Sequence, residues 1–561
     1  MDKRWIVKQG ADFEKVAELA EDLKISRSLA NLLLLRDVHD EDEARRFFAP
    51  QLDGLHNPFL MKDMDKAVER IGMALERREK ILIFGDYDVD GTSAVALMYS
   101  FLEKHFSAKA LLWRERLPEN GNPLVSLVRS HLEKQFVKIR KMEYYVPDRY
   151  NEGYGISNQA VEYAHEKGFQ LMIVLDCGIK CHEQIDLANG YGIDVIVCDH
   201  HLSDIDKDGR EHLPAAYAVL DPKRQGCPYP FKELSGCGVG FKLIQAIAQR
   251  SGISEKKVYA FLDLVVVSIA SDIVPIVGEN RILAYWGLQL INKRPRRGIE
   301  SILSCSHIKR IGKYDTPKKG TIFNQLIKIN DLVFNVGPRI NAAGRMDTGR
   351  SSVHLLINEK KDKAEELGAR IDEHNKDRKE LDSKITQEAM EIIHADSTFH
   401  QRRSIVVYNP EWSKGVIGIV ASRLVEQFYK PTIVMSLSND LITGSARSVQ
   451  GFDLYGALCR CSHLLEHFGG HTYAAGLSLK PENLDTFVRT FEEAVATSIQ
   501  ETSMYPTIDI DEEISLDEIN KEYYGVLKRF EPFGPENPSP IFITRNVLAD
   551  SCRIVGKTIL N

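Results

Sequence analysis

The chain has 561 residues, and at about 150 per domain that length predicts roughly three or four domains and excludes a small disulfide-stapled module. With 43% hydrophobic and 27% charged residues and only 21 prolines, it has the composition of a folded protein, not of a disordered or collagen-like one. The formal charge of −7 argues weakly against a polyanion partner, and no apolar run reaches the twenty or so residues of a membrane span.

Residues 1–55 read as an N-terminal helical segment. Met1 to Lys15 mixes Asp2, Lys3, Arg4, Lys8 and Asp12 with no apolar stretch, so no secretory signal is expected and a cytoplasmic location follows. Nine cysteines, an odd number without a CxxC unit, argue against a disulfide framework and a zinc ribbon. Cys177 and Cys181 read as reduced structural thiols.

Ile81 to Phe84 predicts a short strand, and Thr92 to Leu102 a helix opened by a Thr or Ser cap. The turn between them, DYDVDG, places Asp86, Asp88 and Asp90 within five residues, where like charges repel unless a cation binds or protons are taken up. An EF-hand is excluded, because its twelfth position, which needs a bidentate Glu, is Leu97. From Glu103 to Met142 follows a stretch with Trp113, Arg114, Arg116, Arg129, Lys134, Lys138, Arg140 and Lys141 that reads as a surface insertion.

Three more strand-like runs end in acids: Leu171 to Leu175 at Asp176, Val195 to Cys198 at Asp199, His200 and His201, and Ala218 to Leu220 at Asp221. Helical patterns separate them, Ser157 to Lys167 before Gly168 and Cys181 to Ala188 before Gly190. This alternation predicts an α/β fold with a parallel sheet, whose strand ends share one edge where ligands gather. Leu264 to Ala270 leads to Asp272, another acid closing an apolar run. Asp and His without Cys suit Mn²⁺ or Mg²⁺ better than structural zinc, and a two-cation site would activate a water and clamp a phosphoryl centre.

From Arg281 to Arg345 thirteen Lys and Arg face three acids, a local charge of +10 that leaves −17 elsewhere. Residues 358–391 carry nineteen charges, with Ala364, Leu367, Ile371, Leu381, Ile385 and Ala389 at helical spacing, and predict one long exposed helix joining two lobes. Ser404 to Tyr408, a helix from Val416 to Gln427, and Thr432 to Ser436 predict a second, smaller α/β unit. Its loops are expected to hold GSARS, with Arg447, and GGHTYAAG, with His471.

DYDVDG, VLDCG, VCDHH and SDIVP, in that order, resemble the motif series of the DHH phosphoesterase family. The longer strings YYVPDRYNEGYGIS (144–157), FNVGPRINAAGRM (334–346) and GGHTYAAGLSL (469–479) are similar to its members that degrade single-stranded DNA from the 5′ end. The resemblance implies that Asp86, Asp88, Asp90, Asp176, His200 and Asp272 surround two Mn²⁺ or Mg²⁺ ions. Asp176 would bridge them, Asp199 would orient a histidine, and His201 would face the scissile phosphate.

By the same resemblance the catalytic group is Asp88, Asp90, Asp176, His200 and His201. Arg149, Glu152, Arg339, Asn341 and Arg345 would lie near nucleic acid, and Arg447, Gly469, Gly470 and His471 would hold its backbone or terminal 5′ phosphate. The implied domains are a DHH catalytic domain at 56–350, a connecting helix at 351–397, a DHHA1 domain at 398–504 and, at 505–561, the start of an OB-fold module too short for five strands. RFEPFGPENPSPIF (529–542) belongs to this last part.

The function so implied is a 5′-to-3′ exonuclease of single-stranded DNA releasing 5′ mononucleotides, acting in repair and recombination. A DHH phosphodiesterase of short oligonucleotides or cyclic dinucleotides is the second reading, and a non-catalytic strand-binding relative the third. Implied partners are single-stranded DNA, a single-strand-binding protein and a helicase, with a monomeric chain and no membrane.

Overall fold

The computed structural model describes residues 3–106, 142–312, 320–346, 348–548, 554–555 and 559–560. Trp113 and the seven basic residues of the insertion lie outside them, as do Lys313, Lys318 and Lys319 of the basic block. The chain forms two compact units: Pro50–Glu380 with Pro532–Asn537, and Met1–Ala49 with Leu381–Glu531 and Pro538–Asn561.

At the centre of the first unit is a five-stranded parallel sheet in the order Met142–Tyr145, Ile81–Gly85, Leu171–Leu175, Asp194–Cys198, Ala218–Leu220. Every residue of Ile81–Gly85 and Leu171–Leu175 is buried, which is why these strands read as continuous apolar runs and not as alternating ones. Alternate side chains feed two cores. Ile81, Ile83, Ile173, Leu175 and Ile196 share one with the residues of Val89–Phe106, Gly236–Arg250 and Leu262–Asp272. Leu82, Phe84, Met172, Val174 and Val197 share the other with Asn158–Glu166 and His182–Gly190.

Ser157 caps its helix by accepting from the Ala160 amide at 3.0 Å, and Gly168 leaves the far end at φ +67°. The expected Thr or Ser cap at residue 92 is wrong. That helix starts at Val89, within the acidic turn, because Asp88 Oδ1 accepts from the Gly91 amide at 3.0 Å and the Asp88 carbonyl accepts from that of Thr92, also at 3.0 Å. The apolar run closing on Asp272 is also a helix, Leu262–Asp272. All of Leu262–Ala270 is buried, so no polar face marks its period.

The charged segment forms one helix, Lys361–Ala395, about 52 Å long at 1.5 Å per residue, which continues from the first unit into the second. The second unit holds a five-stranded mixed sheet in the order His467–His471, Ala474–Leu479, Leu441–Arg447, Thr432–Ser438, Ile405–Tyr408, with the helix Ile417–Phe428 after its first strand. GSAR and GGH therefore lie in strands, not loops. A Cβ at Gly444 would sit 2.9 Å from the Met435 side chain, so the strand glycine serves close packing. The N-terminal segment has helices Phe13–Leu23, Arg27–Leu34 and Glu41–Phe48, preceded by a strand, Arg4–Val7, that pairs in parallel with Thr507–Ile510.

Candidate metal centre and phosphate-binding groups

Asp176 and Asp199 each continue the sheet ladder one residue past their strands. The Asp176 amide donates to the Cys198 carbonyl at 2.8 Å and the Asp199 amide to that of Leu220 at 2.9 Å. This fixes both side chains at one sheet edge. Asp176 takes φ +62°, a left-handed conformation, and Gly236 faces it where any Cβ would collide with its carboxylate. Gly91 is equally required, since a Cβ there would collide with the Asp86 backbone.

Helices complete the centre. Asp90, buried, accepts from the amides of Gly236 and Cys237 at 2.7 Å each, at the start of the helix Gly236–Arg250. It also accepts from the Ser268 hydroxyl at 2.7 Å, one turn before Asp272 on the helix Leu262–Asp272. His200 Nε2 then lies 3.2 Å from Asp176 Oδ1, 3.6 Å from Asp272 Oδ2 and 3.8 Å from Asp90 Oδ2. Ligand atoms of Asp90, His200 and Asp272 fall within 4.8 Å of one another, and so do those of Asp176, His200 and His201.

Two kinds of acid meet here. The Asp199 carboxylate accepts from the Ile179 amide at 2.9 Å and the His200 amide at 2.8 Å, and lies 2.7 Å from His201 Nδ1. Burial alone would raise the Asp199 carboxyl and lower the His201 ring. Their mutual bond outweighs it, so Asp199 falls to about 2 and His201 rises to about 9. They form an ion pair, and Asp199 thus orients His201.

The remaining acids have no such partner. Burial, then the charge of Asp88, lifts Asp86 well above the usual range, and burial with Asp90, Asp88 and Asp272 does the same to Asp176. Asp88 is raised by burial and Asp90, and Asp272 is pushed up to about 8 by burial, Asp90 and Asp88. Burial lowers the His200 ring, outweighing the charge of Asp90.

Asp176 Oδ1 and both ring nitrogens of His200 are buried without a hydrogen-bond partner among the described residues. Buried polar atoms are rarely left so, and this convergence of oxygen lone pairs and an imidazole fits divalent cations of the Mn²⁺ or Mg²⁺ type.

Around the acidic turn, the Arg149 guanidinium lies 4.8 Å from the centre of the Tyr87 ring. The Tyr150 hydroxyl donates to the Arg345 carbonyl at 2.7 Å, and burial together with Arg149 and Arg378 lowers the Arg345 guanidinium to about 10. A Cβ at Gly344 would sit 2.8 Å from the Tyr87 carbonyl oxygen, so the small residues of GPRINAAGR seat this helix against DYDVDG. Asn341 is half-buried on the same helix.

Two of the residues assigned to nucleic acid bind within the protein. Arg339 is buried, with Nε donating to Asp372 Oδ1 at 2.9 Å and Nη1 to the Asn335 carbonyl at 2.8 Å. Glu152 accepts from the Tyr145 hydroxyl, the Asp148 amide and the Ser157 hydroxyl, bracing its own loop. On the second unit Arg447 donates to Ser445 Oγ at 3.0 Å and the Ala446 carbonyl at 2.8 Å, while Gly469, Gly470 and His471 are exposed on a sheet-edge strand.

Sequence reasoning missed four contributors. The Tyr154 hydroxyl donates to the Asp176 carbonyl at 3.1 Å and lies 3.2 Å from His201 Nδ1; it stands in the quoted string 144–157 and could have been singled out. Ser268 is hidden in a core helix, and the Gly236 and Cys237 amides leave no side-chain signal.

Comparison with known proteins agrees with this arrangement. Residues 80–269 match the DHH family, N-terminal domain, residues 402–497 the DHHA1 domain and residues 510–561 the RecJ OB domain. The chain is 34% identical over 555 residues to the single-stranded-DNA-specific exonuclease RecJ of Bacillus subtilis, covering 99% of this chain and spanning 63% of the length of that relative. It is 32% identical to RecJ of Dickeya dadantii, covering 94% of this chain and 85% of the relative, and 30% identical to that of Haemophilus influenzae, covering 93% and 84%.

Among solved structures, Thermus thermophilus RecJ in complex with Mn²⁺ superposes with a TM-score of 0.77 at 22% identity over 99% of this chain and 71% of its own, a likeness of fold. An exonuclease RecJ bound to manganese matches with a TM-score of 0.59 at 25% identity, covering 79% of this chain and 96% of that one. With its acids and histidines gathered at one sheet edge and its motifs aligned over nearly the full length of the sequence, the chain belongs to the RecJ family of DHH phosphoesterases.

Proposed function

We propose that the protein is a 5′-to-3′ exonuclease that hydrolyses single-stranded DNA to 5′ mononucleotides at a Mn²⁺- or Mg²⁺-dependent centre, in DNA repair and recombination. The observation that carries this reading is His200 Nε2 facing Asp176, Asp272 and Asp90 at 3.2, 3.6 and 3.8 Å with its own nitrogens and Asp176 Oδ1 unsatisfied. Asp86, Asp88, Asp90, Asp176, His200 and Asp272 would hold two ions. Such ions, when bound, acidify a water and offset charge on the phosphoryl centre.

The chain's own groups do the rest. Asp199 holds Nδ1 of a protonated His201, whose Nε2–H, 3.4 Å from the Tyr154 hydroxyl, would donate to a phosphate or leaving oxygen. Tyr154 anchors the turn bearing Asp176. Arg149 and Arg345, beside Tyr87, present guanidinium groups to strand phosphates. On the second unit Arg447, Gly469, Gly470 and His471 offer a guanidinium, amides and an imidazole to a nucleotide phosphate.

The protein is expected to act as a cytoplasmic monomer with a single-strand-binding protein and a helicase as partners. Among the described residues no helix is long and apolar enough to cross a membrane.

A metal-titrated digestion of strands blocked at one end or the other tests the reading. Release of mononucleotides only from strands with a free 5′ end, dependent on Mn²⁺ or Mg²⁺, is expected. Cleavage indifferent to the 5′ block, or preference for cyclic dinucleotides, would overturn it.

A further inference from the structure

In the first unit, the basic groups assigned so far to the strand lie beside DYDVDG or in the block 281–345. A further cation stands at the sheet edge itself, on the loop after the strand Ala218–Leu220. Its backbone is pinned on both sides. Asp221 Oδ1 accepts from the Lys223 amide at 2.7 Å, and Arg224 Nη1, next in sequence, donates to the Val219 carbonyl and to Asp63 Oδ2. The Asp199 amide, bonded to the Leu220 carbonyl at 2.9 Å, ties the same loop to the two histidines.

The Lys223 side chain is 23% exposed and its ammonium lies 3.2 Å from Glu233 Oε2, on a side chain 43% exposed. Glu233 lies three residues before Gly236, which packs directly on the Asp176 carboxylate, so the ion pair spans from the strand-end loop tied to Asp199 to the segment seated on Asp176. A half-exposed pair of this kind contributes only about 0–1 kcal/mol, so exchanging the Glu233 carboxylate for another anion costs little. A phosphodiester approaching a cluster of carboxylates needs such a compensating charge.

We propose that Lys223 is a phosphate-positioning residue: its ammonium leaves Glu233 to pair with a non-bridging oxygen of the strand phosphate at the sheet edge, and returns to Glu233 after release. This rests on the single-strand nuclease reading, which wild-type hydrolysis tests separately.

The experiment measures salt dependence for wild type, Lys223→Met, Lys223→Arg and Glu233→Gln on a short single strand. It reads kcat/KM with Mn²⁺, and strand binding in an Asp176→Ala background so that the result does not depend on turnover. One lost phosphate contact on a single strand should flatten the slope of log affinity against log salt by about 0.7. That flattening is expected for Lys223→Met, with a rise in KM larger than the fall in kcat, and near-wild-type behaviour for Lys223→Arg. An unchanged slope in both measurements, or the same losses from Glu233→Gln as from Lys223→Met, would show a mere rim ion pair and overturn the proposal.

Discussion

Two buried charged clusters in the first unit differ in one respect. Lys242, fully buried, places its ammonium 2.7 Å from Glu279 Oε1, 2.9 Å from the His56 carbonyl and 3.2 Å from Gln245 Oε1, while Glu279 also accepts from the Tyr229 hydroxyl at 2.6 Å and the His56 amide at 2.9 Å. Every charge there is matched within the fold. At the sheet edge Asp86, Asp88, Asp176 and Asp272 are raised instead, and Asp176 Oδ1 and the His200 nitrogens have no hydrogen-bond partner among the described residues. Burial of charge by itself marks structure as readily as function; burial of charge left unmatched marks a ligand site.

Substitutions can break this contrast. Asp176→Ala should remove several kcal/mol of transition-state stabilisation, about 10³-fold or more in hydrolysis rate, while strand binding persists. Undiminished cleavage by that variant would discard the metal assignment. Lys242→Met should act on the other cluster, leaving Glu279 buried and unpaired at about 3–5 kcal/mol of folding stability, measurable by denaturant unfolding. If it changed metal affinity more than stability, the two clusters would not be distinct.

Asp199→Asn should cost about 10- to 100-fold and move the basic limb of the pH–rate profile down from about 9, since His201 loses the bond that raises it. A profile that kept its basic limb would exclude His201 as the proton holder. A smaller effect concerns stability without metal. Asp272 keeps its proton to about pH 8 in the folded chain but only to its ordinary value near 4 when unfolded, so the folded state binds more protons in between. This contribution is complete below about pH 4 and is lost as pH rises through about 8. Thermal melting with a chelator should therefore fall from pH 6 to 9, and excess Mn²⁺ should flatten the decline; equal slopes in both conditions would contradict the sheet-edge electrostatics.

Much of the centre was legible beforehand because a parallel strand buried on both faces reads as an apolar run, and the first polar residue after it necessarily reaches the carboxyl edge. The structure places Asp86, Asp176, Asp199 and His200 at that edge. Asp272 meets them there although its run is a helix, since complete burial erases the period that tells the two apart. Arg339, set near nucleic acid by the family resemblance, is also held by Asp372, thirty-three residues away, a partner that no local pattern announces. The glycines of GGHTYAAG read as loop because glycine is depleted in strands, whereas here they form an edge hairpin.

From the order of residues alone came the βαβ alternation, the acids at its strand ends, the long charged helix and the family resemblance, all of them local patterns or strings. The meeting of Asp90, Asp176, Asp272 and His200 depended on packing between helices and strands up to 182 residues apart, as from Asp90 to Asp272. Hydrogen-bond geometry and burial arise only when such segments touch, and those two quantities decide which charges the fold neutralises and which it leaves for a cation.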